Sequence, residues 1–187
     1  MLDVRSLEAP TFTLGEACRA AAIEPRRVTV WLQRGQVPPG VQVSPKRRLF
    51  TAWEVLHLAL MTRLAALTAA ETAGAWATEA VRQLREKPLF RDQGAPLEGT
   101  LDPLAAFGLY AFATDIAGRG VDAADRQVSV QGIEYTIDGM KKMLAGGQVP
   151  GSHTFVPIGG LMQFVICELI RLDHVAETCA PPIEAAG

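Results

Sequence analysis

Residues 13–35 read Thr13-Leu14-Gly15-Glu16-Ala17-Cys18-Arg19-Ala20-Ala21-Ala22-Ile23-Glu24-Pro25-Arg26-Arg27-Val28-Thr29-Val30-Trp31-Leu32-Gln33-Arg34-Gly35, and a basic tail follows, ending Lys46-Arg47-Arg48-Leu49-Phe50. Thr13 and Glu16 have the Ser/Thr-x-x-Glu spacing of a capping box, which predicts a helix from Leu14 with Leu14, Ala17, Cys18 and Ala21 on its buried stripe. Ala22 and Ile23 make a short turn, and Pro25 stands where proline is tolerated, at the first position of a second helix. On that helix Val28, Trp31 and Leu32 fall at i, i+3 and i+4 and form one apolar face. The other face carries Arg26, Arg27, Thr29, Val30, Gln33 and Arg34, and Gly35 stops the helix. Two short helices, a tight turn and a cationic second helix describe a helix-turn-helix.

The continuation narrows the reading. Val41, Val43 and Leu49 flank a polar tip, Ser44-Pro45-Lys46-Arg47-Arg48, which predicts a small β-hairpin, or wing. Thr51 and Glu54 then supply a second capping box, with Phe50 and Val55 spaced as a staple. This order resembles the DNA-binding domain of MerR-type winged-helix regulators over residues 11–85. The resemblance rests on the Thr13-to-Ala17 opening, the turn at Ala22-Ile23, Trp31 with Gly35, and Arg48-Leu49-Phe50-Thr51 leading into a helix. It implies a second helix in the major groove and a wing whose arginine before the aromatic residue grips phosphate. Two positions depart from the family pattern. Ala22 stands where glycine is common, and Glu24 replaces a Ser/Thr cap with a negative charge.

Charge is distributed unevenly along the 187 residues. Between Glu24 and Phe50 six basic residues face one acid, whereas from Thr51 onward sixteen acidic residues outnumber ten basic ones, and the whole carries −2. A basic tip alone is an ordinary solvated loop; beside a helix-turn-helix it becomes a phosphate-facing element. Hydrophobic residues make up 49% and charged residues 20%, a globular composition and not a disordered one. The start lacks the apolar region of a secretory signal, and the run near residues 161–170 is too short to span a bilayer. Three widely spaced cysteines, Cys18, Cys167 and Cys179, fit a reducing cytoplasm better than a disulfide framework.

The expected fold class is mainly α with a small β content: a winged helix-turn-helix N-terminal domain plus an α or α+β C-terminal domain. Residues 1–10 read as a loose lead-in, 11–86 as the DNA-binding domain, 87–100 as a linker and 101–178 as a dimerisation or effector domain. Thr51 opens a helix to about residue 67, and a third box at Thr68/Glu71 opens another over 69–86, with Ala73, Trp76, Ala77, Ala80, Val81 and Leu84 inward. Asp102-Pro103 predicts a buried helix over 102–117. Val128-Ser129-Val130 and Ile133-Glu134-Tyr135 alternate as a hairpin about Gly132, and a short helix is expected over 137–144. Residues 153–158 read as an edge strand because of Pro157, and 161–176 as a helix.

Other chemistry has weak signals. His57, His153 and His174 are scattered, and no Cys-x-x-Cys or His-x-x-x-His pair occurs, so no metal or other cofactor is implied. Gly159-Gly160 reads as a strand–helix turn more readily than as an anion cradle, and Cys167 as a core thiol. Phe107, Tyr110, Phe112, Phe155 and Phe164 read as core before they read as a ligand pocket. Nothing argues for an enzyme.

These readings predict a cytoplasmic, sequence-specific transcriptional regulator that binds double-stranded DNA and self-associates through its C-terminal half, with an unidentified small-molecule or protein effector. Phosphate contacts fall to Arg34, Lys46, Arg47 and Arg48, and base readout to Arg26, Arg27, Thr29, Val30 or Gln33. Trp31 is assigned to the core. Two alternatives stand beside it. One is a DNA-packaging or recombination accessory, since phage terminase small subunits and excisionases use a similar winged helix; the other is a protein-interaction module for an acidic partner.

Overall fold

The structure, a computed structural model, describes residues 2–45, 47–104, 107–113, 126–132 and 152–179. Its first segment is not a loose lead-in. Asp3 and Ser6 form a reciprocal capping box on a 3-10 turn, Val4–Glu8, which buries Val4 and Leu7. Strand β1, Phe12–Thr13, runs directly into helix α1, Leu14–Ala20, where Thr13 Oγ1 caps the Glu16 amide and the Glu16 carboxylate returns to Thr13. Burial works to raise the Glu16 carboxyl pKa, but the bonds from Thr13 outweigh it and hold the group below its ordinary value.

Helix α1 and helix α2, Pro25–Gln33, end in the same way. After α1, Ile23 N–H donates to Cys18 O and Ala22 N–H to Arg19 O; after α2, Gln36 N–H donates to Trp31 O and Gly35 N–H to Leu32 O. These are paired Schellman closures, which require a left-handed residue after the helix. Gly35 adopts φ +64°, a conformation a glycine takes freely, whereas Ala22 takes φ +52° with a Cβ present.

Strands β2, Val41–Ser44, and β3, Arg47–Phe50, make the expected wing, and β1 adds a third strand in the order β1-β3-β2. Phe12 pairs with Phe50 and Val41 with Leu49, and the ladder shifts between Gln42 and Ser44. Helix α3, Ala52–Leu64, follows from the Thr51/Glu54 box and is buried on nearly every side, from Trp53 and Val55 to Met61 and Leu64. Helix α4, Ala70–Arg85, lays the predicted stripe against it. The third capping box does not form. Thr68 N–H donates to Leu64 O and still belongs to the closing turn of α3, so Ala69 opens α4 with no side-chain cap.

Residues 87–100 carry two 3-10 turns, Pro88–Phe90 and Leu97–Thr100, and bury Phe90, Leu97 and Thr100. They also bond to the N-terminal segment, Val4 N–H to Ala95 O and Leu97 N–H to Leu2 O. The helix expected over 102–117 does not form across Phe107–Ala113. Helix α5 is one turn, Leu101–Leu104, and the chain then enters strand β4, Phe107–Ala113. A short apolar run does not separate buried helix from buried strand by periodicity, and here the aromatic enrichment of Phe107, Tyr110 and Phe112 favours the strand. β4 is the middle of an antiparallel sheet, β5-β4-β6, with β5 at Arg126–Gly132 and β6 at Ser152–Val156. The strand around Val128–Val130 therefore pairs with β4; its expected partner at 133–135 and the helix at 137–144 lie outside the described residues. β6 is at the sheet edge, with Pro157 just beyond it.

Helix α6, Ile158–Cys179, starts earlier than expected and buries Ile158, Met162, Val165, Ile166 and Leu169 against α3, α5 and β4. Gly159 is a packing position: a Cβ there would lie 1.7 Å from Leu104 O. Cys167 is exposed, not a core thiol, whereas Cys18 is buried and burial pushes its thiol pKa up.

Between α3 and α4, His57 is almost wholly buried, with Nε2 3.1 Å from Thr78 Oγ1. Thr78 spends its own proton on Gly74 O, so Nε2 donates, and Nδ1 has no partner among the described residues. Burial, against a smaller opposing pull from the Gly74 carbonyl, holds the ring pKa down from 6.5 to about 4.

Two predictions follow from this packing. Replacing Ala22 with Gly should stabilise the protein by up to about 1 kcal/mol, because relief of the left-handed strain exceeds the added unfolded-state entropy. Gly35→Ala should cost a similar amount, and loss of stability in Ala22→Gly by urea unfolding would contradict the strain. For His57 the unfolded chain takes up a proton near pH 6.5 that the folded chain takes up only near 4. Its contribution is therefore full above that window and lost as pH falls through it, saturating at roughly 3 kcal/mol. Urea unfolding of His57→Gln should show a correspondingly shallower pH dependence between pH 7 and 4; parallel profiles would refute the assignment.

Candidate nucleic-acid interface

Helix α2 sorts its residues as the sequence predicts. Val28 and Trp31 are buried, Trp31 to 4% exposure, and Arg26, Arg27, Thr29, Val30, Gln33 and Arg34 are all exposed. Trp31 thus belongs to the core. Within the exposed set the arginines differ. The Arg27 guanidinium sits 4.8 Å from the centroid of the Trp31 ring, a cation–π contact that holds it along the flank of the helix. Arg26 has no hydrogen-bond or ion-pair partner among the described residues. One residue step rotates a side chain by about 100°, so the pair points in two directions. Thr29 Oγ1 donates to Pro25 O, 3.0 Å away, which fixes the hydroxyl while leaving its acceptor capacity open.

Glu24 was the residue most able to interfere, by pairing with one of these arginines. Among the described residues it forms neither an ion pair nor a side-chain cap on α2. The first turn of α2 therefore carries its cations unneutralised.

The wing presents Arg47 as exposed and Arg48 as half-buried; Lys46 lies outside the described residues. Val41 and Val43 are exposed, so the hairpin is not held by a core of its own. It is held at its base. Gly40, at φ +67°, precedes β2 so tightly against β3 that a Cβ would lie 2.7 Å from Leu49 O and 3.1 Å from Arg48 Cγ. Gly40 N–H donates to Glu54 Oε1 at 3.2 Å, and Thr51 N–H donates to Glu54 Oε2 at 2.8 Å. The capping box was visible in the sequence, but the bond to Gly40 spans fourteen residues and had no local signal.

Among the described residues no three His, Cys, Asp or Glu side chains are grouped to hold a metal, and no helix is long and apolar enough to cross a membrane. Of the aromatic residues named for a pocket, the side chains of Tyr110, Phe112 and Phe155 lie outside the described ones. Phe107 is half-buried with its ring centroid 5.8 Å from Lys87 Nζ, and Phe164 is exposed on α6.

Residues 12–67, from β1 through the turn after α3, match the model for MerR HTH family regulatory proteins. No curated protein matches the chain. The match supports a DNA-binding transcriptional regulator in general and is to regulators, not to an enzyme. Residues 12–67 of this chain are thus a MerR-type helix-turn-helix region.

Proposed function

We propose that the protein is a sequence-specific transcriptional regulator that reads double-stranded DNA with α2 and grips its backbone with the wing. The observation that carries this reading is the unneutralised cationic face of α2, followed along the chain by a wing whose second strand opens with Arg47 and Arg48. Arg26 reads a base edge, because nothing among the described residues restrains it. Arg27 takes a phosphate, because Trp31 holds it to the flank of the helix. Thr29, Val30 and Gln33 complete the base-facing set, and Arg34, Lys46, Arg47 and Arg48 the phosphate set. The setting is cytoplasmic.

The C-terminal part, residues 101–178, joins subunits. In support, α6 leaves Phe164 at 50% and Val175 at 47% exposure beside Cys167, on the side away from its buried stripe. An operator with two half-sites is the natural target of such a pair.

With about five phosphate contacts per subunit, log K should fall with log salt at a slope of roughly −4 to −5. Affinity that hardly changes with salt would contradict the electrostatic part. In a randomised-site selection, Arg26→Ala should cost roughly 1–3 kcal/mol at one base pair and relax preference there. Arg27→Ala should weaken every sequence evenly and flatten the salt slope by about one. If neither variant changes binding, α2 is not the recognition helix. For self-association, sedimentation of the full chain at micromolar concentration should give a dimer or larger species that Phe164→Asp weakens. A monomer would remove that role from α6.

A further inference from the structure

We propose that Glu54 is a positioning residue for the wing: its carboxylate sets the direction in which Arg47 and Arg48 meet the DNA backbone. The inference rests on the reading that the wing contacts phosphate.

The wing enters at Gly40 and leaves at Thr51, and both ends donate a backbone N–H to the same carboxylate, one to each oxygen. Glu54 in turn belongs to the first turn of α3, whose other faces are closed in the core. The hairpin itself supplies little that would fix its angle, since β2 is exposed along its whole length and its ladder to β3 is irregular. A charged acceptor shared by two amides forms stronger bonds than neutral partners do. It ties the loop before β2 to the end of β3 without a large hydrophobic contact. Gly40 completes the joint, because only a residue without a Cβ lets the chain lie against Leu49 O in a left-handed conformation.

The geometry separates this role from that of an ordinary helix cap. The Glu54 backbone N–H to Thr51 Oγ1, at 3.2 Å, is available in both Glu54→Ala and Glu54→Gln. Glutamine offers one oxygen where two N–H groups need acceptors, so Glu54→Gln keeps one anchor and loses the other.

The test measures affinity of the full chain for random-sequence duplex DNA as a function of salt, for the wild type, Glu54→Ala, Glu54→Gln, Gly40→Ala and Arg47→Ala/Arg48→Ala, with circular dichroism to establish folding. Glu54→Ala should lose affinity on the order of tenfold at low salt, and its salt slope should flatten toward that of the double arginine variant, which drops by about two. Glu54→Gln should fall between Glu54→Ala and wild type. In a parallel randomised-site selection, base preference at the position read by Arg26 should stay unchanged in Glu54→Ala. Combining Glu54→Ala with the two arginine substitutions should add no further loss. Gly40→Ala leaves the Thr51–Glu54 bonds intact, so it tests the same joint should Glu54→Ala fail to fold, and should flatten the slope likewise. A folded Glu54→Ala or Gly40→Ala protein with wild-type affinity and slope overturns the proposal, as do losses additive with those of the arginines. Absence of binding by the wild type overturns the DNA reading itself, and the wing role with it.

Discussion

Burial of α3 on nearly every side is the constraint from which the rest of the structure follows. A helix apolar all round has no solvent face and must be enclosed by other elements. Here the 3-10 turn at the N-terminus, α1, α4 and α6 all pack against it. Its N-terminus receives the wing through Glu54, and its first turn places Trp53 edge-on to Phe90, ring centroids 4.9 Å apart. The residues that face DNA in the proposed function are thus borrowed positions on a scaffold built around α3, with no core of their own.

The helix-turn-helix inherits its angle from a backbone motif more than from side chains. Schellman closure at Ala22 turns the chain within three residues, so Val28 and Trp31 enter the core while Arg26 and Arg27 stay outside. Alanine at a position suited to glycine means that the turn is retained at a local energetic cost, which the packing of α2 must offset. The acidic remainder of the chain also reaches this unit physically. On the far side of α4, Gln83 Oε1 accepts from Val130 N–H and Lys87 Nζ donates to Val130 O, joining the C-terminal sheet to the helix that backs α3.

Legibility in the sequence followed the range of the interactions concerned. The boxes at Thr13/Glu16 and Thr51/Glu54 were readable because donor and acceptor lie three residues apart, and the polar face of α2 because helical periodicity sorts it. The box at Thr68/Glu71 has the same spacing, but the Thr68 amide is held by Leu64 O, so a neighbouring helix decided the outcome. Phe107–Ala113 looked like a buried helix until its partners were known, since strand pairing is non-local. Residues 1–10 looked loose because their stability comes from Ala95 and α3, far along the chain. At the site, the outward setting of Arg26, Arg27 and Arg34 is legible from helical periodicity, while the hold of Trp31 on Arg27 and of Glu54 on Gly40 appears only in three dimensions.

The central claim is that α2 and the wing together form the face that meets double-stranded DNA. The most direct measurement is the change in backbone amide chemical shifts of the isotope-labelled full chain as duplex DNA is titrated in at low salt. The account predicts perturbations concentrated at residues 25–34 and 41–49, with α6 unmoved. Perturbations centred on α4 or α6, with α2 unaffected, would contradict it.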